Sequence, residues 1–324
     1  MGQLDSHMFA LEPQSRERVW GGRLLRPATP PIGEVWAAYG PSRIAGGPHA
    51  GRTLDDLIED YGPALLGSAV ASHFGTRFPL LIKLLDCADW LSVQVHPDDE
   101  QARRMVGPDE FGKTEAWYFL NAATRSQIML GVKPEVGQKD LEDAIRAGRI
   151  RSVANLVNVR AGDAVVVPAG TLHALGPGLL LYEVQEASDT TYRVYDWDRP
   201  ASAGRALHIE ESVEVTRAVG PVETMSPKLP AGSGAVDAID TQYFDVDLIG
   251  VSPDAGPVAA DTQGRSFHIL TVIDGEAMIA RGAEQAVLKR FESALVAGSA
   301  GEYQIRDIGG EARLLRAAVP DPRS

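Results

Sequence analysis

The chain has 324 residues, 44% of them hydrophobic and 23% charged, a balance that suits a globular enzyme and excludes a disordered chain. Its 31 Lys and Arg against 44 Asp and Glu leave a formal net charge of −13, which argues against a general nucleic-acid binder with a basic face. The one cysteine, Cys87, rules out an intrachain disulfide and, inside PLLIKLLDCADW, reads as a buried, inert thiol. No apolar run reaches the ~18 residues of a membrane span. The start, MGQLDSHMFA, has neither a basic n-region nor an apolar h-region, so a cytoplasmic protein is expected. Residues 1–7 read as a cloning remnant, with Met8 the native start, and His7 enters no site argument.

In chain order, the first periodic segment is TLDDLIEDYGPALL from Thr53, where a Thr N-cap and an acidic first turn predict a helix. Strand-like runs follow: FPLLIKLL from Phe78, WLSVQVH from Trp90, EAWYFL from Glu115 and QIMLGV from Gln127. QKDLEDAIRAGRIRSVANLV from Gln138 predicts a second helix, with Leu141, Ile145 and Ile150 near helical spacing and Gly148 as a break. DAVVVP from Asp163 and LLLYEVQE from Leu179 are strand-like again. Residues 218–234, rich in Pro, Gly, Ser and Ala, read as a linker. Beyond it, runs from Tyr243, Ser266, Ser293 and Ala312 predict a smaller β unit, with a hairpin turn at Asp274-Gly275 and a structural histidine at His268. Many strands and few helices predict an all-β barrel or sandwich with helical insertions.

Chemistry concentrates in three stretches. In LSVQVHPDDE, Gln94 and His96 stand two apart on a strand and so share a face. In FGKTEAWYFL, Glu115 opens an apolar strand, with Lys113 two residues before it. In GDAVVVPAGTLHAL, Pro168 stops a strand, Gly170 makes the turn and a short strand delivers His173; the spacing resembles the second cupin motif. His96, His173, Glu115 and Gln94 together offer two imidazoles, a carboxylate and an amide oxygen. Such a set suits zinc, while two histidines and a carboxylate also resemble a non-haem iron site. A fourth protein ligand leaves fewer open positions for oxygen chemistry, which favours zinc. Glu183 and Gln185, two apart in LYEVQE, line one face.

In combination and order, WGG at Trp20, GEVWA at Gly33, FPLLIKLLD at Phe78, SVQVHPDD at Ser92, GKTEAWY at Gly112, PAGTLHAL at Pro168 and SDTTYRVYDWDR at Ser188 resemble the type I mannose-6-phosphate isomerases, in the short bacterial branch of that cupin family. The resemblance implies two cupin-type β-barrel or jelly-roll domains with helical insertions in the N-terminal half: a catalytic domain at 8–217, a linker at 218–234 and a degenerate cupin-like domain at 235–324. It implies one zinc ion per chain on Gln94, His96, Glu115 and His173. Catalytic or substrate-binding roles fall on Lys83, Lys113 and Arg193, and Glu183 matches a site-lining glutamate. Lys83 could otherwise snorkel or pair with Asp86 or Asp89, and Arg193 could pair with Asp196 or Asp198.

The implied reaction interconverts mannose 6-phosphate and fructose 6-phosphate through a cis-enediol. Glu183, Lys113 or a metal-bound water could be the base, while Arg193 stabilises charge, a guanidinium being a poor base at neutral pH. The implied partner is a small phosphosugar, with no nucleic acid or membrane, and the protein is expected as a monomer or weak homo-oligomer. An isomerase of free aldoses on the same metal site, a non-catalytic sugar-binding cupin and an iron oxygenase are the alternatives.

Overall fold

The computed structural model describes residues 4–199 and 205–321. Residues 1–3 of the expected cloning remnant lie outside them. The chain divides into two compact units: Met1–Ser15, Val35–Lys83 and Ser226–Ser324 form the first, Arg16–Glu34 and Leu84–Met225 the second. The parting at Met225 falls inside the segment read as a linker. Residues 35–83, which carry the first predicted helix, belong to the unit that holds the C-terminal strands.

The second unit carries two sheets. One runs Gln14–Gly22, Ile32–Ala38, Leu80–Cys87, Leu179–Glu186, Glu115–Ala122, Ala164–Val167; the division between units passes through its first three strands. The other runs Tyr192–Tyr195, Val93–Val95, His173–Leu175, Gln127–Val132, Ala154–Asn158. Every residue of Leu80–Cys87 and Leu179–Glu186 is buried, which is why these strands read as continuous apolar runs instead of alternating ones. The core lies between the sheets, where Trp117, Phe119 and Leu181 of the first pack with Ile128, Leu130 and Leu175 of the second.

The first unit repeats the two-sheet plan. Its larger sheet runs Met8–Ala10, Ser293–Val296, His268–Asp274, Ala312–Ala318, Asp245–Val251, Gly234–Asp240. Its smaller one runs Val258–Asp261, Glu302–Asp307, Glu276–Arg281, Glu284–Lys289. Ile249, Leu270 and Leu314 of the former meet Ile279, Leu288 and Tyr303 of the latter. The mostly-β architecture expected from the sequence is therefore present in both units.

Three local features differ from the sequence reading. The segment from Thr53 is three short helices, Leu54–Tyr61, Pro63–Leu66 and Ser68–Phe74, because Gly62 and Gly67 take positive φ between them. Thr53 caps the first of these through a reciprocal pair of hydrogen bonds with Asp56. The segment from Gln138 is helical over Gln138–Arg146 and Ile150–Val153, after which Ala154–Asn158 joins a sheet. The predicted hairpin at Asp274-Gly275 is a corner: the strands on either side lie in different sheets. Gly275, at φ +71°, passes so close to Glu311 that a Cβ would lie 2.4 Å from its carbonyl oxygen. His268 is the buried structural histidine expected, with Nδ1 2.8 Å from the Tyr303 hydroxyl.

The core of the second unit sets a stability test. Leu181, fully buried, should cost about 2–5 kcal/mol on substitution by Ala. The same change at Leu156, which is 50% exposed, should stay within about 0.5 kcal/mol. Urea unfolding of the two variants measures the difference.

Candidate metal centre

Sheet register brings the site together within the second unit. Arg193 lies opposite Gln94, and Gln94 opposite His173. Cross-strand partners point to one face, so these three side chains form a transverse row. In the facing sheet Glu115 lies opposite Gln185, and Trp117 opposite Glu183, so a second row faces the same interior. His96 follows Gln94 by two residues, just past the strand end. Gly170, at φ +81°, turns the chain after Pro168 and donates its N–H to the His96 carbonyl at 2.8 Å, which fixes the short strand that begins at His173.

His96, Glu115 and His173 are buried together, with donor atoms all within 4.8 Å of one another. Among the described residues they are the group of His, Cys, Asp and Glu side chains so placed. His173 Nε2 is 3.1 Å from Glu115 Oε1, and His96 Nε2 is 3.4 Å from Oε2. Each imidazole uses its other nitrogen on a carbonyl oxygen: His96 Nδ1 donates to Thr190 at 2.9 Å and His173 Nδ1 to Thr171 at 2.8 Å. A carbonyl only accepts, so both Nδ1 atoms carry a proton and both Nε2 atoms are turned toward the carboxylate. Burial, with Lys113 adding to it, lowers His96 to about 3, so its ring stays neutral. Burial opposes the Glu115 charge, yet neighbours led by Lys113 hold that carboxyl well below the usual range.

The lone pair of the neutral His96 ring set against an anion is repelled unless a cation lies between them. Among the described residues both Glu115 oxygens are buried without a hydrogen bond of sound geometry, and the Lys113 side-chain nitrogen lies 3.0 Å from Oε2 and 3.1 Å from His96 Nε2. The donor set therefore fits a divalent metal ion, with Nδ1 contacts that orient the rings as metal-bound histidines require. Gln94 lies alongside, its amide nitrogen 3.2 Å from His173 Nε2; a half-turn of the amide presents its oxygen instead.

A second cluster adjoins the Gln94 strand. Arg193 is half-buried, and it donates from Nε to Ser92 Oγ at 3.2 Å and from one guanidinium nitrogen to the Ala206 carbonyl at 2.9 Å. The ion pair with Asp196 or Asp198 that the sequence allowed is taken up otherwise. Asp196 is bound by Arg199 at 2.8 Å and Arg205 at 3.4 Å, and Asp198 accepts from the Tyr195 hydroxyl. Arg205 also reaches Ser92 Oγ, at 3.1 Å, while its other terminal nitrogen is buried without a hydrogen-bond partner among the described residues. Burial lowers both Arg193 and Arg205 from their usual values; Asp196 opposes this, and at Arg205 the neighbouring arginines add to it. Sequence reasoning missed Arg205 and Ser92. Ser92 lies inside the SVQVHPDD stretch, but nothing in the local pattern joins it to an arginine 113 residues away.

Glu183 is buried, and one carboxylate oxygen accepts from the Trp117 indole N–H at 3.0 Å. Gln185, its neighbour on the same face, is also buried. Lys83 falls in the other compact unit, buried, with Nζ 5.4 Å from the Trp36 ring centre. Of its two expected acidic partners, Asp86 accepts from the backbone of Leu24 and Leu25, and Asp89 pairs with Arg199. Cys87 is buried, and burial pushes its thiol well above the ordinary value, as an inert thiol requires.

Comparison with known proteins places this site in a family. The model of the type I phosphomannose isomerase catalytic domain matches residues 8–114. The mannose-6-phosphate isomerase of Streptococcus mutans is 34% identical over 307 residues, which is 91% of this chain and 93% of that protein. The crystal structure of the mannose 6-phosphate isomerase from Bacillus subtilis superposes with a TM-score of 0.84 at 30% identity, covering 96% of this chain and 99% of the other. A zinc-bound mannose 6-phosphate isomerase shares the fold, with a TM-score of 0.77 at 20% identity over 96% of this chain and 99% of that one. An inward donor set of two histidines and a glutamate, framed by strands that align along nearly the whole length with these proteins, makes the chain a member of the type I mannose-6-phosphate isomerase family.

Proposed function

We propose that this protein interconverts mannose 6-phosphate and fructose 6-phosphate, with one zinc ion held by His96, Glu115 and His173 and Gln94 as a fourth ligand. The observation that carries the reading is the pairing of a cation-demanding donor set with two arginines that converge on Ser92 one strand position away. The buried, unpartnered nitrogen of Arg205 calls for an anion, and a phosphate supplies one.

Zinc held by these residues would supply Lewis-acid polarisation of the sugar's oxygens. The chain's own groups do the rest. In the forward direction the C2 proton of the open-chain aldose passes to a base, leaving an enediolate. A proton then returns to C1, and the hydroxyl proton moves from O2 to O1, so nothing is gained or lost overall. Glu183 is the base assigned here, an acceptor oriented by the Trp117 indole. Lys113, already engaged with a carboxylate, suits stabilisation of negative charge on the sugar oxygens better than proton abstraction. Arg193 and Arg205 grip the phosphate and set the carbon chain in register, Arg193 being the one nearer the reacting carbons by its row with Gln94. Lys83, the remaining cation implied by the family resemblance, is proposed for substrate binding.

The donor set and the arginine pair come from a single chain, which supports action as a monomer or weak homo-oligomer. Among the described residues no helix is long and apolar enough to cross a membrane. One cysteine and a net charge of −13 support a cytoplasmic setting without nucleic-acid partners.

A coupled assay tests the reading. Turnover of mannose 6-phosphate should disappear with a chelator and return with zinc, and free mannose should not react; turnover of free mannose alone would replace the reading with an aldose isomerase. His173→Ala should lose at least about 100-fold in zinc affinity, measured by metal competition, and lose activity with it. Arg205→Ala should lower kcat/KM for the phosphorylated sugar by about 10- to 100-fold while zinc content stays unchanged.

A further inference from the structure

The segment that delivers Lys113 and Glu115 is held by more than its strand. Three successive backbone N–H groups are each tied to a different element. Gly112 donates to Asp99 Oδ1 at 2.7 Å, Lys113 to the Pro97 carbonyl at 2.9 Å, and Thr114 to Glu186 Oε1 at 2.7 Å. Glu186 returns its own N–H to the segment within hydrogen-bond reach, 3.2 Å from the Thr114 carbonyl. Gly112 runs so close to the start of the helix Asp99–Met105 that a Cβ there would lie 2.5 Å from the Asp99 nitrogen.

Glu186 is buried at the end of Leu179–Glu186. Burial, with the nearby Asp99 charge and against the pull of the Thr114 N–H, raises its carboxyl to about 8. The reaction as derived above uses neither acid.

We propose that Asp99 and Glu186 are positioning residues, two carboxyl groups on separate elements that clamp residues 112–114 through their backbone N–H groups and thereby set Lys113 and Glu115 against the metal donors. Both act through the backbone of that segment. The proposal rests on the metal-centre reading, since geometry at Glu115 matters to the extent that Glu115 binds a cation.

The test uses the full chain and compares wild type with Glu186→Gln, Glu186→Ala and Asp99→Ala. Zinc affinity by competition with a chromogenic chelator, kcat and KM for mannose 6-phosphate, and melting temperature are read on each. Glu186→Gln keeps an acceptor for the Thr114 N–H, so zinc affinity and kcat should stay within about twofold of wild type. Glu186→Ala and Asp99→Ala should each weaken zinc binding and lower kcat by about tenfold or more, with KM moving by less than about threefold. If Glu186→Gln is as impaired as Glu186→Ala, the carboxyl itself is needed and the proposal is overturned. Alanine variants that bind zinc as tightly as wild type, with a lowered melting temperature alone, overturn it as well. Asp99→Ala, at a half-buried helix start, carries the test should Glu186→Ala fail to fold. Zinc binding needs no sugar, so a wild type inactive on mannose 6-phosphate would defeat the proposed reaction while the affinity measurements still decide this point.

Discussion

One carboxylate placed between two imidazoles is the constraint around which the second unit is organised. Glu115 is almost wholly buried, and both its oxygens face imidazole nitrogens. A buried charge of this kind is costly unless a counter-charge sits within reach. Lys113 supplies some of that charge, and a divalent ion would supply more. The carbonyls of Thr190 and Thr171 hold the two Nδ1 atoms and so aim both Nε2 atoms at the carboxylate.

Two facing sheets are an economical means of building such a centre. Each sheet contributes a row, and the pleat guarantees that alternate residues along a strand reach the same interior. Gln94 and His96 come in that way from one stretch, Glu115 and Trp117 from another, and His173 from a three-residue strand held by Gly170. Arg193 enters along the row that already holds Gln94 and His173, so the arginine cluster and the candidate metal donors share a scaffold and any shift of Val93–Val95 disturbs both.

The extent to which this was legible in the sequence follows the range of the interactions. Gln94, His96, Glu115 and His173 could be read because strand alternation and a Pro-x-Gly turn are local patterns with a fixed geometric result. Arg205 could not, because its role depends on a contact with Ser92 across 113 residues and no periodicity reports it. The helix Asp99–Met105 was hidden for a different reason: HPDD reads as a turn, and the signal lay in Asp98 and Gln101, whose reciprocal caps start the helix. Asp274-Gly275 shows the limit of turn chemistry. The dipeptide does provide the positive φ a tight turn needs, but pairing partners elsewhere decide that it joins two sheets.

The interleaving of the two units has a consequence for how the protein is made. Every residue of the second unit has been synthesised by Met225, so its sheets have all their strands before any strand from Gly234 onward is added. The first unit lacks that advantage. Its strand Met8–Ala10 pairs with Ser293–Val296, with Met8 opposite Val296, so an early strand must wait unpaired for almost the last one. The part of the chain that carries the chemistry can thus close first during translation, and the exposed edge belongs to the part that does not.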